Sequence, residues 1–262
     1  MSNLHSIARK IWSIARSGLT SVDKLRYATN TRGHGTGVST YRLRGGGSIA
    51  LRNGTSDCKV FNEIFVERVY APSIQALPGN LGTITLIDLG ANIGLSTLFF
   101  ARALEVTEII AVEPDPDNFR MLADNLRTTG LANRCTAIRA FAGAEHARAE
   151  LRDSGNGAWG MRMGPLSETG TLVLPLAQIA QAVKSHAPRI LKCDIEGSER
   201  QLFLHIREWE HLFRYIILEL HTELFPLQEL HACLRSARFR WIGHGSSPQG
   251  MAVTILLLER VP

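Results

Sequence analysis

The segment at 85–97, which reads TLIDLGANIGLST, constrains the fold more than any other part of the chain. An apolar run ends in an acid and breaks into glycines before a helical pattern begins, which predicts a buried strand, a tight turn and a helix start. Such a turn lets a ligand lie against bare backbone at the carboxyl end of the strand, where the helix N-terminus offers free N–H groups. We therefore expect a ligand site at this turn.

Strand and helix patterns alternate regularly after residue 83, which is typical of an α/β fold with a mainly parallel sheet and helices on both faces. Strands are predicted at 84–89, 108–112, 136–141, 189–193, 215–220, 239–243 and 253–259. No helical pattern separates the last two strands, so they should form an antiparallel hairpin at the C-terminus. The irregular stretch at 143–170 is predicted to contain a hairpin or an active-site flap.

The chain of 262 residues is long enough for one large domain with an appendage. We assign 1–40 to a basic amphipathic helix followed by a linker, and 41–262 to one domain with cap elements at 41–80 and a core at 81–262. The apolar residues Leu4, Ile7 and Ile11 recur at helical spacing. This helix could make a weak membrane-surface or protein contact through residues 1–28, or pack on its own domain.

The charge distribution argues against nucleic acid as a partner. Residues 1–52 contain nine Lys or Arg and one acid, Asp23, so the remaining residues carry −3 of the total net charge of +5. Phosphate binding requires a basic face at the working site, and the core is slightly acidic. The partner is therefore expected to be a small molecule or a glycan. The oligomeric state cannot be read from the sequence.

The cysteines and the hydropathy pattern favour a soluble, cytoplasmic protein. Cys58, Cys135, Cys193 and Cys233 are scattered without a CxxC pair or any metal-ligand spacing, as expected of reduced thiols. No apolar run approaches the ~18 to 20 residues that span a bilayer.

A second signal lies at the neighbouring strand end, where Glu113 follows the strand at 108–112. A carboxylate at this position can accept hydrogen bonds from both hydroxyls of a ribose, so the two signals together predict an adenosine site. The turn lacks the third glycine of a dinucleotide site, and an acid before it repels a pyrophosphate but suits a cation such as S-adenosylmethionine. An NAD-linked oxidoreductase is the alternative. The predicted cofactor-binding residues are Asp88, Gly90, Asn92, Gly94, Glu113 and Asp115.

Four segments, in this order, resemble the FkbM-type S-adenosylmethionine-dependent methyltransferases. They read IDLGANIG at 87–94, VEPDPDNF at 112–119, LKCDIEGSE at 191–199 and ILELH at 217–221, and the third is the most specific. The resemblance covers roughly residues 60 to 221. It implies a seven-stranded Rossmann-like methyltransferase sheet and O-methylation, often of a sugar or natural-product hydroxyl.

Methyl transfer to a hydroxyl requires alignment of the reacting atoms and a base that takes the hydroxyl proton. Candidates for the base are Asp194 and His221, with Glu196 and Glu219 behind them, and Lys192 points to the same strand face as Asp194. A divalent cation held by several of these acids is possible, because it would lower the pKa of the hydroxyl.

The acceptor is expected to be recognised by loops, chiefly those at 141–170 and in the N-terminal region. Trp159 in that stretch could stack on a sugar ring or anchor the loop. A non-catalytic adenosyl-binding scaffold that docks through the basic N-terminal helix is the alternative to an enzyme.

Overall fold

The structure is a computed structural model that describes residues 17–30, 36–153, 160–244 and 253–261. The chain begins with small elements that cover one side of the main sheet. They are α1 (Ser21–Asn30), the hairpin β1 (Val38–Arg42) and β2 (Ser48–Arg52), α2 (Asp57–Phe61), a π-helix (Asn62–Glu67) and α3 (Ala71–Gln75). The amphipathic helix predicted near the N-terminus and Trp159 lie outside the described residues.

The following elements build the core and a smaller sheet. In chain order they are β3 (Ile84–Leu89), α4 (Leu95–Ala103), β4 (Val106–Val112), α5 (Pro116–Thr128), β5 (Cys135–Ile138), β6 (Phe141–Gly143), β7 (Ala147–Asp153), β8 (Met161–Leu166), β9 (Thr171–Pro175), α6 (Leu176–Gln181), β10 (Arg189–Cys193), α7 (Glu199–Leu204), α8 (Ile206–Trp209), β11 (Tyr215–His221), α9 (Leu227–Ser236), β12 (Phe239–His244) and β13 (Val253–Arg260).

The central sheet has seven strands in the order β12-β13-β11-β10-β3-β4-β5. The five strands from β11 to β5 pair in parallel, and β13 pairs antiparallel with both β11 and β12. Alternate residues of each strand enter two separate cores. Leu86 packs with α4 and α5 on one face, whereas Ile87 packs with α6 to α9 on the other. The predicted fold class, including the C-terminal hairpin, is confirmed.

Part of the segment that the sequence predicts to be a linker before residue 40 forms regular structure. Thr29 lies in α1 and Val38 begins β1, so both ends of the stretch at 29–40 belong to regular structure. Asp23 holds α1 to the hairpin, because its fully buried carboxylate accepts hydrogen bonds from the backbone N–H and Nε of Arg42 at 3.2 and 2.9 Å. Tyr27 also donates a hydrogen bond to the carbonyl of Cys58. No helix among the described residues is long and apolar enough to cross a membrane.

Local signals predicted some helix ends and missed others. An aspartate before Pro116 predicts a helix cap, and Asp115 does cap α5, since its carboxylate accepts from the N–H groups of Asp117 and Asn118. Ser198 and Gln201 have the spacing of a capping box, but this prediction is wrong, because the Ser198 side chain makes no cap hydrogen bond and its backbone is helical. The strand predicted at 136–141 is also split: β5 ends at Ile138, and Phe141 begins β6 in the smaller sheet.

The smaller sheet has the order β6-β9-β7-β8 and is inserted between β5 and α6. The antiparallel pair β7 and β8 is the hairpin expected in the stretch at 143–170. Phe141 and Val173 form its buried centre with Ala149. This sheet places β6 and the start of β8 beside the carboxyl edge of the central sheet, where the sequence predicts the ligand site.

Candidate active site

A cleft lies at the carboxyl ends of β3, β4, β10 and β11, between the π-helix and the smaller sheet. Counted out to open solvent, the cleft contains about 950 Å³ of empty space. Its lining comprises Val60, Glu63, Ile64, Val69, Tyr70, Gly90, Ala91, Asn92, Leu95, Ser96, Val112, Glu113, Pro114, Asn118, Ala140, Phe141, Ala142, Met161, Lys192, Asp194, Ile195, Glu196, Ser198 and Glu219. Seven of the predicted site residues are in this set.

The turn after β3 requires glycine at its first position. Gly90 has a φ of +72°, and a Cβ there would overlap the backbone oxygen of Asp194 in the turn after β10. Gly94 has a φ of +87° and lies against Leu122 of α5, where a Cβ would come within 2.8 Å of the Leu122 Cδ1. Gly90 lines the cleft, whereas Gly94 brings α4 and α5 together outside it.

Asp88 is fully buried beneath the turn and does not line the cleft. Its Oδ2 accepts hydrogen bonds from the hydroxyls of Ser96 at 2.8 Å and Thr97 at 2.6 Å, and its Oδ1 lies 3.2 Å from the Lys192 Nζ. Asp88 therefore ties the start of α4 to β10. Asp88 stabilises the turn from the protein interior and does not face the cleft.

Glu113 stands at the end of β4 with both carboxylate oxygens held by backbone N–H groups. Oε2 accepts from Asn92 and Oε1 accepts from Asp115, each at 2.9 Å. Asn92 adopts a left-handed φ of 51°, which aims its N–H at Glu113. Burial raises the pKa of Glu113 to about 7, although these hydrogen bonds oppose the shift.

A series of hydrogen bonds and an ion pair connects Glu113 to the cap elements. The Asn118 side chain donates to the Glu113 Oε1 at 3.4 Å and accepts from the Arg52 guanidinium at 2.6 Å. Arg52 in turn pairs with the buried carboxylate of Asp57 at 2.8 Å. The cap thus helps to position Glu113 at the end of β4. Asp115 caps α5 next to these contacts and does not line the cleft.

Lys192 lies almost fully buried between the turns after β3 and β10. Its ammonium contacts the carboxylates of Asp88 at 3.2 Å and Asp194 at 3.3 Å and donates to the carbonyl of Gly90 at 2.9 Å. Burial lowers the pKa of Lys192, but the carboxylates of Asp88, Asp194 and Glu219 outweigh it and hold the pKa above its usual value. Lys192 is therefore a fixed cation and cannot act as a base.

Glu219 faces the cleft from β11 and accepts a hydrogen bond from the Tyr70 hydroxyl at 2.8 Å. Burial, followed by the negative charge of Asp194, raises the pKa of Glu219 to about 8. Tyr70 is buried in the cap before α3, so a cap residue reaches into the centre of the site.

His221 is held between two glutamates behind the cleft. Its Nδ1 lies 2.9 Å from the Glu199 Oε1, and its Nε2 lies 3.5 Å from the Glu196 Oε2. Burial lowers the pKa of His221, but hydrogen bonds to Glu196 and Glu199 raise it to about 11. Glu199 is fully buried, and its Oε1 also accepts from the N–H groups of Ile195 and Gly197.

The cleft is rich in carboxyl groups. Among the described residues that line it are five acids, Glu63, Glu113, Asp194, Glu196 and Glu219, and a single Lys or Arg, Lys192. Glu63 projects from the π-helix, an irregularity that is frequent at functional sites. Burial raises the pKa of Glu63 to about 7, and the nearby charges of Glu67, Asp194 and Glu196 contribute.

Sequence reasoning missed Tyr70, Glu63 and Asn118 as site residues. Asn118 falls inside the segment 112–119, so its place in that segment was the available signal. Glu199 belongs to the segment 191–199, whose acids cluster at the exit of β10 as the sequence indicates. Tyr70 and Glu63 come from the cap, and no local pattern relates them to strand ends that follow much later in the chain.

A curated relative is the 31-O-demethyl-FK506 methyltransferase FkbM of Streptomyces tacrolimicus, which is 28% identical over 242 residues, covering 79% of this chain and 88% of the relative. A solved methyltransferase FkbM from Methylobacillus flagellatus is 20% identical with a TM-score of 0.48, over 78% of this chain and 53% of that one, about half its length. The Mycoplasma capricolum TrmK structure, solved with S-adenosyl-homocysteine, is 9% identical with a TM-score of 0.47, over 71% and 66% of the two chains.

The family is identified by its domain, which is matched over more than half of the chain. Residues 88–240 match the methyltransferase FkbM domain, and the match runs from Asp88 in β3 to Arg240 in β12. It includes the glycine turn, Glu113, the segment around Asp194 and the end of β11. This chain therefore belongs to the FkbM family of methyltransferases.

Proposed function

We propose that the protein is an S-adenosylmethionine-dependent O-methyltransferase that acts on a hydroxyl of a sugar, a glycan or a small natural product. The observation that carries the proposal is the meeting of two groups of residues in one cleft. The glycine turn and Glu113 lie on one side, and Asp194 and Glu219 lie on the other. A cofactor and an acceptor can therefore be bound face to face.

The cofactor side fits S-adenosylmethionine. The bare backbone at Gly90 leaves room for the ligand, and Glu113 is fixed at the end of β4, where it can accept hydrogen bonds from ribose hydroxyls. Asn92 would complete this contact surface. Asp88, Gly94 and Asp115 support it without lining the cleft. When bound, the cofactor supplies a methyl group on a positively charged sulfur, and an acid-lined cleft stabilises such a cation.

The same charge argues against the NAD-linked alternative. A pyrophosphate carries two negative charges and would lie near the turn at Gly90, in a cleft lined by five acids. The turn also lacks the third glycine of a dinucleotide site. Membership in a methyltransferase family supports the same conclusion.

We assign the base to a cleft carboxylate, Asp194 or Glu219. Both line the cleft, and each has one oxygen held by a fixed donor, Lys192 for Asp194 and Tyr70 for Glu219. The other oxygen of either residue could accept the hydroxyl proton of the acceptor. His221, which the sequence ranked beside Asp194, is a weaker candidate because Glu196 and Glu199 engage both of its nitrogens.

Lys192 has a positioning role in this proposal. Its ammonium joins Asp88 below the cofactor turn to Asp194 on the acceptor side, so the two halves of the cleft share one fixed charge. Glu196 follows Asp194 with a left-handed φ of 53° and lines the same side.

The acceptor class is supported by the relative from Streptomyces tacrolimicus, which is named for O-methylation of a natural product. The smaller sheet contributes Phe141 and Met161 to the cleft, and the cap contributes Tyr70. These apolar and aromatic walls suit a ring with few charges. A divalent cation is not required by the proposal, because the residues at the turn and the base are sufficient for it.

Calorimetric titration with S-adenosylmethionine tests the cofactor half. We expect 1:1 binding, weakened at least tenfold in Glu113→Ala and unchanged in Glu145→Ala, a matched change at an exposed glutamate before β7. No binding, or equal binding in the two variants, would refute the proposal.

The acceptor half is tested by mass spectrometry of glycans and small metabolites from cells with and without the gene. The expected difference is one methyl group on a hydroxyl. Cofactor binding without methyl transfer would instead support the non-catalytic scaffold.

A further inference from the structure

A group of three residues behind the acceptor side can bring ligand atoms together. Asp194 follows β10, Glu199 begins α7 and His221 ends β11, and one ligand atom from each lies within 4.8 Å of the others. Residues from three elements converge here because the carboxyl ends of neighbouring parallel strands meet at one edge of the sheet. A cluster of acids alone would not identify a ligand site.

Two buried oxygens in this group have no hydrogen-bond partner among the residues that the structure describes. They are the Oδ1 of Asp194 and the Oε2 of Glu199, and the Glu199 side chain is 0% exposed. Buried polar atoms in proteins are nearly always satisfied, and an unpaired carboxylate oxygen is costly to bury. These two atoms therefore point to a positively charged ligand.

The nearby cationic groups of the described chain donate no hydrogen bond to these two oxygens. Lys192 is engaged with Asp88, Asp194 and two carbonyls, and its contact with Asp194 uses Oδ2, so Oδ1 is left over. Glu199 likewise uses Oε1 for His221 and two backbone N–H groups, so Oε2 is left over. Each carboxylate thus has one oxygen that fixes its position and one that is free to bind.

We propose that Asp194, Glu199 and His221 form a binding site for a divalent cation that prefers oxygen ligands, such as Mg²⁺ or Mn²⁺. Two carboxylates and one imidazole make up a donor set that suits Mn²⁺, and water or an acceptor oxygen would complete its coordination. Asp194 also lines the cleft, so the site opens toward the acceptor.

A catalytic role for the ion rests on the proposed function. An ion beside the acceptor hydroxyl would lower the pKa of that hydroxyl and leave Glu219 to take the proton. The binding site itself does not depend on this role, so it can be tested without cofactor or acceptor.

The test is titration of Mn²⁺ alone into chelator-treated, desalted protein, followed by electron paramagnetic resonance of the free ion. We expect one Mn²⁺ per chain. In Glu199→Gln the affinity should fall at least tenfold, because the amide keeps an oxygen for Ile195 and Gly197 but replaces Oε2 with a nitrogen that cannot bind the ion. Asp194→Asn should weaken binding similarly, and it provides a second variant if the first is unstable.

Glu145→Gln is the matched control, since it makes the same change at an exposed glutamate outside the cleft. Its Mn²⁺ affinity should equal that of the unmodified protein. Failure of the unmodified protein to bind Mn²⁺, or equal weakening by Glu145→Gln and Glu199→Gln, would overturn the proposal. Titration of metal-free protein with S-adenosylmethionine tests the proposed function separately, so either result can fail alone.

Discussion

The raised pKa of Glu113 predicts how the stability of the protein depends on pH. Burial shifts this pKa from 4.5 to about 7, and the side chain is 4% exposed. Between these pH values the folded protein keeps a proton that the unfolded chain has lost, so raising the pH lowers the free energy of unfolding. The loss is about 1.4 kcal/mol per pH unit, or about 3 kcal/mol in total, and is complete above pH 7.

The Glu113→Gln variant isolates this effect because glutamine does not titrate. One of the N–H groups of Asn92 and Asp115 would lose its acceptor, at a cost of about 1 to 3 kcal/mol that is the same at every pH. The stability of the unmodified protein minus that of Glu113→Gln should therefore fall by about 3 kcal/mol from pH 4.5 to 8.

Urea denaturation of both proteins at half-unit pH steps, without cofactor, measures this difference. Glu145→Gln, at an exposed glutamate, should follow the unmodified protein throughout. If the curves for the unmodified protein and Glu113→Gln are parallel, burial does not raise the pKa of Glu113 and the explanation is refuted.

Three further changes test other parts of the site. Gly90→Ala would drive a Cβ into the backbone oxygen of Asp194, so S-adenosylmethionine affinity should fall at least tenfold by calorimetry; unchanged affinity would contradict the tight turn. Tyr70→Phe removes the hydrogen bond to Glu219, so kcat should fall roughly tenfold with cofactor affinity unchanged, a change of about 1.4 kcal/mol. Lys192→Met leaves Asp88 buried without its cation, so urea denaturation should show a loss of about 3 to 5 kcal/mol, against less than about 1 for Arg189→Met on the same strand.

Buried parallel strands were predictable because their signal is local. The run at Ile84–Leu89 is buried at every position, and β10 matches its predicted bounds of 189–193. The smaller sheet was harder to predict, because its strands are half exposed and pair across the chain, with β6 beside β9. The face of α5 shows a related limit. The helical pattern of apolar residues predicts that Ala123 is buried with Leu122, but Ala123 is exposed, while the polar Asn125 is buried and accepts a hydrogen bond from the backbone N–H of Ala50 in β2.

Seven of the residues predicted from the sequence line one cleft, but the sequence does not distinguish their surroundings. Asp88 and Glu113 are both strand-end acids, yet Asp88 is enclosed by Ser96, Thr97 and Lys192, whereas Glu113 faces the cleft. Only the packing of the surrounding elements distinguishes them. The same is true of His221, whose position beside Glu219 suggested a base until its two glutamate partners were known.

The close approach of Gly90 to the backbone oxygen of Asp194 has a consequence for ligand binding. The turn after β3, which we propose to bind the cofactor, rests directly on the turn after β10, which we propose to face the acceptor, with no side chain between them to absorb a shift. A displacement of either turn is therefore passed to the other, and occupancy of one side should alter affinity at the other. Linkage makes such cooperativity reciprocal, so an acceptor would change cofactor affinity by the same factor by which the cofactor changes acceptor affinity.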